Sequence, residues 1–195
     1  QKEAFESSKL YKRIGDLSQV VISLFSDDSG AGALGFGAEH PQNLGYIKDK
    51  RTLVYIDSPS RLTGFNTLKK AIELRDNFLG GWEKVVVLGW NFAYDISSAI
   101  NELNDSRLEV LVIPPDLLDK LKSKATYKKL VDSGKIRFSS LQYLVVKPIE
   151  KSNYSAELEE LNISLDNYIL LSPDNIPLDD ADKKALQELM SSDPL

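Results

Sequence analysis

The chain has 195 residues, 42% of them hydrophobic, and a net charge of −5 at neutral pH; that length buries a sizeable core and suits one compact domain with an appendage. Zero cysteines exclude a disulfide framework and thiolate metal sites, and the single histidine, His40, leaves no second imidazole for a zinc cage, so a metal site would need carboxylates alone. No apolar stretch approaches the roughly 20 residues that cross a bilayer, and the N-terminus lacks signal-peptide order, so the expectation is a soluble, cytoplasmic chain with no membrane partner.

The first predicted element is a long amphipathic helix with Leu10, Ile14, Leu17, Val21 and Leu24 on one side. The chain opens inside this charged helical pattern, which reads as a fragment of a longer polypeptide. From Ser26 to Gly32, and on through Gly35 and Gly37, small and polar residues read as a flexible linker. A phosphate-cradling loop is the other reading of these glycines. It would need a strand before them and a helix N-terminus after them, and the Gly-Lys-Ser/Thr ending is absent. Residues 1–38 are therefore expected to form an N-terminal helix and Gly-rich linker, and residues 39–195 the α/β domain.

Three short apolar runs follow, Thr52-Leu-Val-Tyr-Ile-Asp57, Lys84-Val-Val-Val-Leu-Gly89 and Leu108-Glu-Val-Leu-Val-Ile113. Each leads into a polar or Pro-containing turn and then a helical pattern, the signature of buried parallel strands with crossover helices. The first helix carries Leu68, Ala71, Ile72, Phe78 and Leu79 and stops at Gly80-Gly81. The second carries Ile96, Ala99, Ile100 and Leu103, with Asp95 as a candidate cap and Asn104-Asp105 as its end. Beyond Pro114-Pro115 come two short helical pieces. Lys135 to Pro148 and Leu161 to Leu171 then read as an antiparallel strand pair joined around Glu150 to Glu157, before a terminal helix with Ala185, Leu186, Leu189 and Met190. The predicted fold is α/β, a Rossmann-like three-layer sandwich with a mainly parallel sheet, an added antiparallel pair, and helices at both ends.

Open α/β sheets hold ligands outside the carboxyl ends of their strands. That edge offers Asp57, Ser58, Ser60 and Arg61 from the first turn, Trp90, Asn91, Tyr94 and Asp95 from the second, and Asp116 from the third. Arginine beside a helix start binds anions, an exposed Trp stacks on a base and Asn reads a base edge. Equally, Ser58, Ser60 and Asp95 can be helix caps and Trp90 a core residue. Nucleophilic catalysis would need a base for Ser58 or Ser60, and His40 lies in a predicted flexible loop. A magnesium-dependent nuclease would need Asp57, Asp95 and Asp116 to converge. Charge is also unevenly spread. From Glu150 onward 11 acidic residues face 3 basic ones, whereas Lys120, Lys122, Lys124, Lys128, Lys129, Lys135 and Arg137 gather after the third strand. Such a run either contacts DNA phosphates or forms a solvated helix face.

Taken together, Leu53-Val-Tyr-Ile-Asp-Ser-Pro-Ser-Arg-Leu-Thr-Gly64, Val86-Val-Leu-Gly-Trp-Asn-Phe92 and Val110-Leu-Val-Ile-Pro-Pro-Asp-Leu-Leu118 resemble a C-terminal region of adenine-specific, site-specific DNA methyltransferases of the type III modification-subunit kind. His40-Pro-Gln-Asn-Leu-Gly45 and Phe138-Ser-Ser-Leu-Gln-Tyr143 extend the resemblance over most of residues 39–144. Enzymes of that kind grip a flipped adenine with an Asp-Pro-Pro-Tyr type motif and bind S-adenosylmethionine with a Phe-x-Gly-x-Gly motif. Neither occurs here. Pro114-Pro-Asp116 lacks the preceding Asp and following aromatic, and Gly35-Phe-Gly37 lacks the spacing, so no catalytic or cofactor residue carries over. The resemblance implies a non-catalytic accessory domain, for DNA positioning, target recognition or docking, in a restriction-modification enzyme. Its S-adenosylmethionine and its catalytic domain would belong to another part of the same polypeptide. The competing expectation is a small-molecule or nucleotide-binding module using the first two turns.

Overall fold

The computed structural model describes residues 14–27, 29–121, 129–130, 136–153 and 158–170, together with 181–182, 184–185 and 188. Helix α1 (Ile14–Leu24) buries Leu17, Val21, Ile22 and the following Phe25, while Leu24 is only half-buried. The apolar stripe thus turns slightly from the expected one at its C-terminal end. Leu10 lies outside the described residues.

After α1 the chain makes a tight loop fastened by the Asp27 side chain, which accepts hydrogen bonds from the Ser29 and Ala31 backbone N–H groups at 2.9 and 3.0 Å. The stretch expected to be only a linker then contributes to the sheet. Ala33 is buried, and Leu34–Gly35 forms strand β1, antiparallel to β2 (Leu44–Ile47), which is in turn antiparallel to β3 (Thr52–Ile56). Gly45 is there for packing. A Cβ on it would lie 2.8 Å from Ile22 Cγ2 and 2.9 Å from the Leu34 carbonyl oxygen, so its bare backbone is what lets α1 lie on β2.

The three apolar runs form β3, β4 (Lys84–Gly89) and β5 (Leu108–Val112), adjacent and parallel as their patterning predicts. All five residues of β3 and the last five of β4 are buried, because helices cover both faces. One face presents Val54, Ile56, Val86, Leu88 and Leu111 to the core that contains α1. The alternate residues, Leu53, Tyr55, Val85, Val87 and Val110, are buried on the other face, where α2 (Phe65–Asn77) packs on β4 through a side lined by Leu68 and Ala71. Helix α3 (Ile96–Leu103) adds Ile96 and Ala99 beside α2. The full sheet order is β1-β2-β3-β4-β5-β6, with β6 at Ser139–Ser140. The chain therefore has a Rossmann-like α/β fold, with a six-stranded mixed sheet that is parallel in its middle.

Helix α2 ends at Asn77, earlier than the glycine pair predicts: Phe78 and Leu79, expected on its packing face, lie instead in a short 3-10 turn, Phe78–Gly80, with Leu79 exposed and Leu79, Gly80 and Gly81 all at positive φ. Helix α3 ends on left-handed Asn104, whose N–H reaches the Ile100 carbonyl. Asp95 occupies the position before α3, but its side chain makes no capping hydrogen bond.

By internal contacts the chain divides between Ser139 and Ser140. In the second unit, β7 (Gln142–Val146) pairs antiparallel with β10 (Leu165–Leu170), the expected pair. Their connection holds a further hairpin, β8 (Glu150–Asn153) with β9 (Glu159–Asn162), held by Lys151–Glu159 at 2.6 Å. The pieces described near residues 181–188 are helical, whereas Leu186, Leu189 and Met190 lie outside the described residues. Among the described residues no helix is long and apolar enough to cross a membrane.

Candidate functional site

The carboxyl ends of β3 and β4 do not stop at the sheet. Beyond Ile56 the carboxylate of Asp57, 5% exposed, accepts hydrogen bonds from the Ser58 N–H at 2.8 Å and from Thr63 Oγ1 at 2.7 Å, pinning both ends of the loop between them. Thr63 is fully buried, and its N–H donates to the Asn91 carbonyl while its own carbonyl accepts from Ala93 N–H. Thr63 and Phe92 form a parallel bridge, so the two turns run side by side as an extension of the sheet. Gly89 permits this approach, since a Cβ there would fall 2.6 Å from the Phe92 ring and 2.9 Å from Thr63 Oγ1. Asn91 Nδ2 closes the platform with a hydrogen bond to the Pro59 carbonyl at 3.3 Å.

What this platform presents to solvent is Arg61, Leu62, Asn91, Tyr94 and Asp95, all exposed, with Tyr94 98% exposed. Ser58 and Ser60 do not cap a helix. Their hydroxyls bond each other at 2.9 Å, and α2 begins after Gly64 without a side-chain cap. Beneath the platform Tyr55 is buried on β3. Burial pushes its phenol above the usual range and the Asp57 carboxylate pushes it the same way, while Arg61 and a hydrogen bond with Asn43 act against both. Asn43 also bonds the end of β3, accepting from Ile56 N–H at 2.9 Å and donating its side chain to the Ile56 carbonyl at 3.2 Å.

The third turn makes a separate feature at the same edge. Pro114 accepts the Leu117 N–H, α4 (Leu117–Lys120) starts, and Lys120 pairs with Asp116 at 2.5 Å. Pro114, Asp116, Leu117, Lys120, Ile136 and Arg137 line a cavity of about 240 Å³. Asp116, Lys120 and Arg137, three of the residues expected from sequence, thus come together around one concavity. Lys129 is exposed, and Lys122, Lys124, Lys128 and Lys135 lie outside the described residues.

Other expectations are corrected. Trp90 is 8% exposed and belongs to the core with α1, so its ring faces are spent on packing and cannot stack on an external base; its Nε1 has no hydrogen-bond partner. The alternation Val86, Leu88, Trp90 continues the strand's inner face past Gly89, which was the available signal. His40 packs edge-on against Phe36 and Phe78, both at 5.8 Å, while the Ser58 and Ser60 hydroxyls bond each other. Asp57, Asp95 and Asp116 do not form a three-carboxylate cluster: among the described residues no group of three or more His, Asp or Glu side chains could hold a metal ion. Sequence reasoning missed Thr63, Asn43 and Tyr55, whose roles depend on partners up to 13 residues away.

Comparison with family models, with curated proteins and with solved structures found no match to this chain.

Proposed function

We propose that this chain is a non-catalytic accessory domain of an adenine-specific DNA methyltransferase in a restriction-modification system, and that it contacts DNA through the carboxyl edge of its sheet. The observation that carries the reading is the gathering of Arg61, Asn91 and Tyr94 on one rigid platform, with Lys120 and Arg137 around a cavity at the same edge. Arginine and lysine contacts to phosphates position a duplex without reading its sequence. An exposed tyrosine offers a stacking surface for an unpaired base, and Asn91 keeps a carboxamide oxygen for a base edge. The motifs that resemble such enzymes lie on these elements: Asp57 to Gly64 forms the first turn, Trp90 to Phe92 the second and Pro114 to Leu118 the third. Asp95 and Asp116 share the edge, and Asp116 neutralises part of the Lys120 charge, so the contact is modest in strength. S-adenosylmethionine and methyl transfer belong to the catalytic domain of the parent polypeptide.

A nucleotide-binding module using the same two turns is the alternative reading; with Trp90 buried its stacking ring would be Tyr94, and a melting temperature raised by nucleotides would favour it. The test is anisotropy of a labelled DNA duplex titrated with the full 195-residue chain at low and at moderate salt. Binding that weakens as salt rises supports the proposal. Absence of binding at low salt, or methyl transfer from S-adenosylmethionine by this chain alone, refutes it.

A further inference from the structure

The cavity of about 240 Å³ at the third turn differs in charge from the chain as a whole. Its walls are apolar: Leu117 is 1% exposed, Ile136 packs on the core and Pro114 closes one side. Its charged lining is Asp116, Lys120 and Arg137, two cations to one anion. Residues 114–137, the segment that supplies this lining, hold 7 basic and 3 acidic residues, against 17 and 26 in the remainder of the chain.

Lys120 and Arg137 outweigh Asp116 in hydrogen-bonding capacity as well as in charge. Asp116 accepts from Lys120 at 2.5 Å, which neutralises one cation and leaves the second carboxylate oxygen as an acceptor. The carbonyls of Pro114, Asp116 and Leu117 already accept from the N–H groups of Leu117, Lys120 and Leu121. Lys120 keeps two of its three donors. Arg137 is exposed and, among the described residues, makes no hydrogen bond or ion pair, so all five of its N–H donors stay free in a planar fork. One free side-chain acceptor thus faces seven free donors and a net charge of +1. Such a lining repels a cation and leaves most of its donors unmatched by a neutral ligand. A carboxylate, with two oxygens in one plane, would occupy the fork alone, whereas a phosphate turns further oxygens toward Lys120.

We infer that this cavity seats a phosphate ester, two oxygens on the Arg137 fork, another on Lys120, and the organic body on Pro114, Leu117 and Ile136. The site shares Lys120 and Arg137 with the DNA contact but needs no duplex, since a small phosphomonoester and a DNA diester carry the same group. The test is a titration of the full ¹⁵N-labelled chain at neutral pH and fixed ionic strength, read from amide shifts at Leu117, Lys120, Ile136 and Arg137. The ligands are phenyl phosphate, the diester thymidylyl thymidine, benzylammonium chloride and benzyl alcohol. Saturable shifts from either ester support the site, and the tighter of the two names its source, a small monoester or the DNA backbone. The ammonium and the alcohol should not saturate. Arg137→Gln should weaken ester binding about tenfold or more by removing charge-assisted hydrogen bonds. Asp116→Asn, which removes the one carboxylate of the lining and releases Lys120, should tighten it several-fold. Both side chains are exposed, so both variants should keep the parent's circular dichroism. No saturation by either ester, an equal response to benzylammonium, unchanged affinity in Arg137→Gln or weaker binding in Asp116→Asn overturns the site. Ester shifts that persist where duplex anisotropy shows no binding would refute the DNA contact alone.

Discussion

Arg75 sits on the inner side of α2 and is 1% exposed, yet it carries a charge. Its Nε and Nη2 donate to Asp76 at 2.9 and 3.2 Å, and its Nη1 donates to Asp105 at 2.8 Å, in the turn that leads into β5. Arg107 reaches Asp76 at 3.3 Å, so one guanidinium ties α2 to the entry of the third parallel strand through a four-residue network. Burial acts to lower the Arg75 pKa, but its bonds to Asp76 and Asp105 outweigh that and raise it further above its ordinary range. Arg75→Met keeps the apolar stem and removes the charge. Removing one partner of a buried pair costs about 3–5 kcal/mol. Asp105 and Asp76 retain 17% and 41% exposure and Asp76 keeps Arg107, which places the loss near the lower end, about 3 kcal/mol. Asp105→Asn leaves Arg75 paired with Asp76 and should cost about 1–2 kcal/mol. Combined, the two changes should cost less than their sum by about 1 kcal/mol, because the second removes a charge the first has orphaned. Urea unfolding of the full chain, followed by tryptophan fluorescence and circular dichroism, reads all three values. A loss below about 1 kcal/mol for Arg75→Met, or strict additivity, would show that the network contributes nothing beyond packing.

Two further predictions concern the loops. At Asp27, burial raises the carboxyl pKa, but hydrogen bonds from Lys50, Ser29 and Ala31 outweigh it and hold the value at about 2, against an ordinary 3.8. A carboxyl depressed in the folded state stabilises it above the ordinary value and loses that contribution as pH falls through the folded one. Asp27→Asn should therefore be less stable than the parent at neutral pH, with the gap closing between pH 4 and pH 2 in pH-dependent urea unfolding; a gap that persists at pH 2 contradicts the linkage. Thr63→Val removes the hydroxyl donor to buried Asp57 and should cost about 1–3 kcal/mol, with Thr63→Ser recovering most of it. Amide exchange should accelerate across Ser58 to Leu62, and unchanged protection there would show that the Asp57–Thr63 bond does not hold the platform.

The parallel strands were legible because burial on both faces writes a continuous apolar run, as in Val85 to Leu88, that alternation cannot disguise. Strands β1 and β2 were hidden for the opposite reason. Gly35 reads as part of a flexible linker, and nothing in the sequence marks Gly45 as a packing residue, a role set by the approach of Ile22 on a helix more than 20 positions away. The β8–β9 hairpin was equally opaque, since Glu150–Asn153 has no apolar alternation and pairs through backbone and the Lys151–Glu159 contact. At the candidate site, sequence located the edge and named Arg61, Asn91, Asp116, Lys120 and Arg137, because strand ends fix where turns emerge. It could not separate an exposed Trp90 from a buried one, or see that Asp57 finds its partner in Thr63, because both depend on which way the chain turns after the last strand residue.

The central claim, that the carboxyl edge contacts DNA phosphates, is tested most directly by the salt dependence of duplex binding in the parent chain and in Arg61→Gln/Lys120→Gln/Arg137→Gln. Each phosphate contact contributes about −0.9 to the slope of log K against log salt. Loss of all three contacts should flatten that slope by about two to three units and weaken low-salt binding. An identical slope in a folded triple variant would contradict the account, and would move the DNA contact away from this edge altogether.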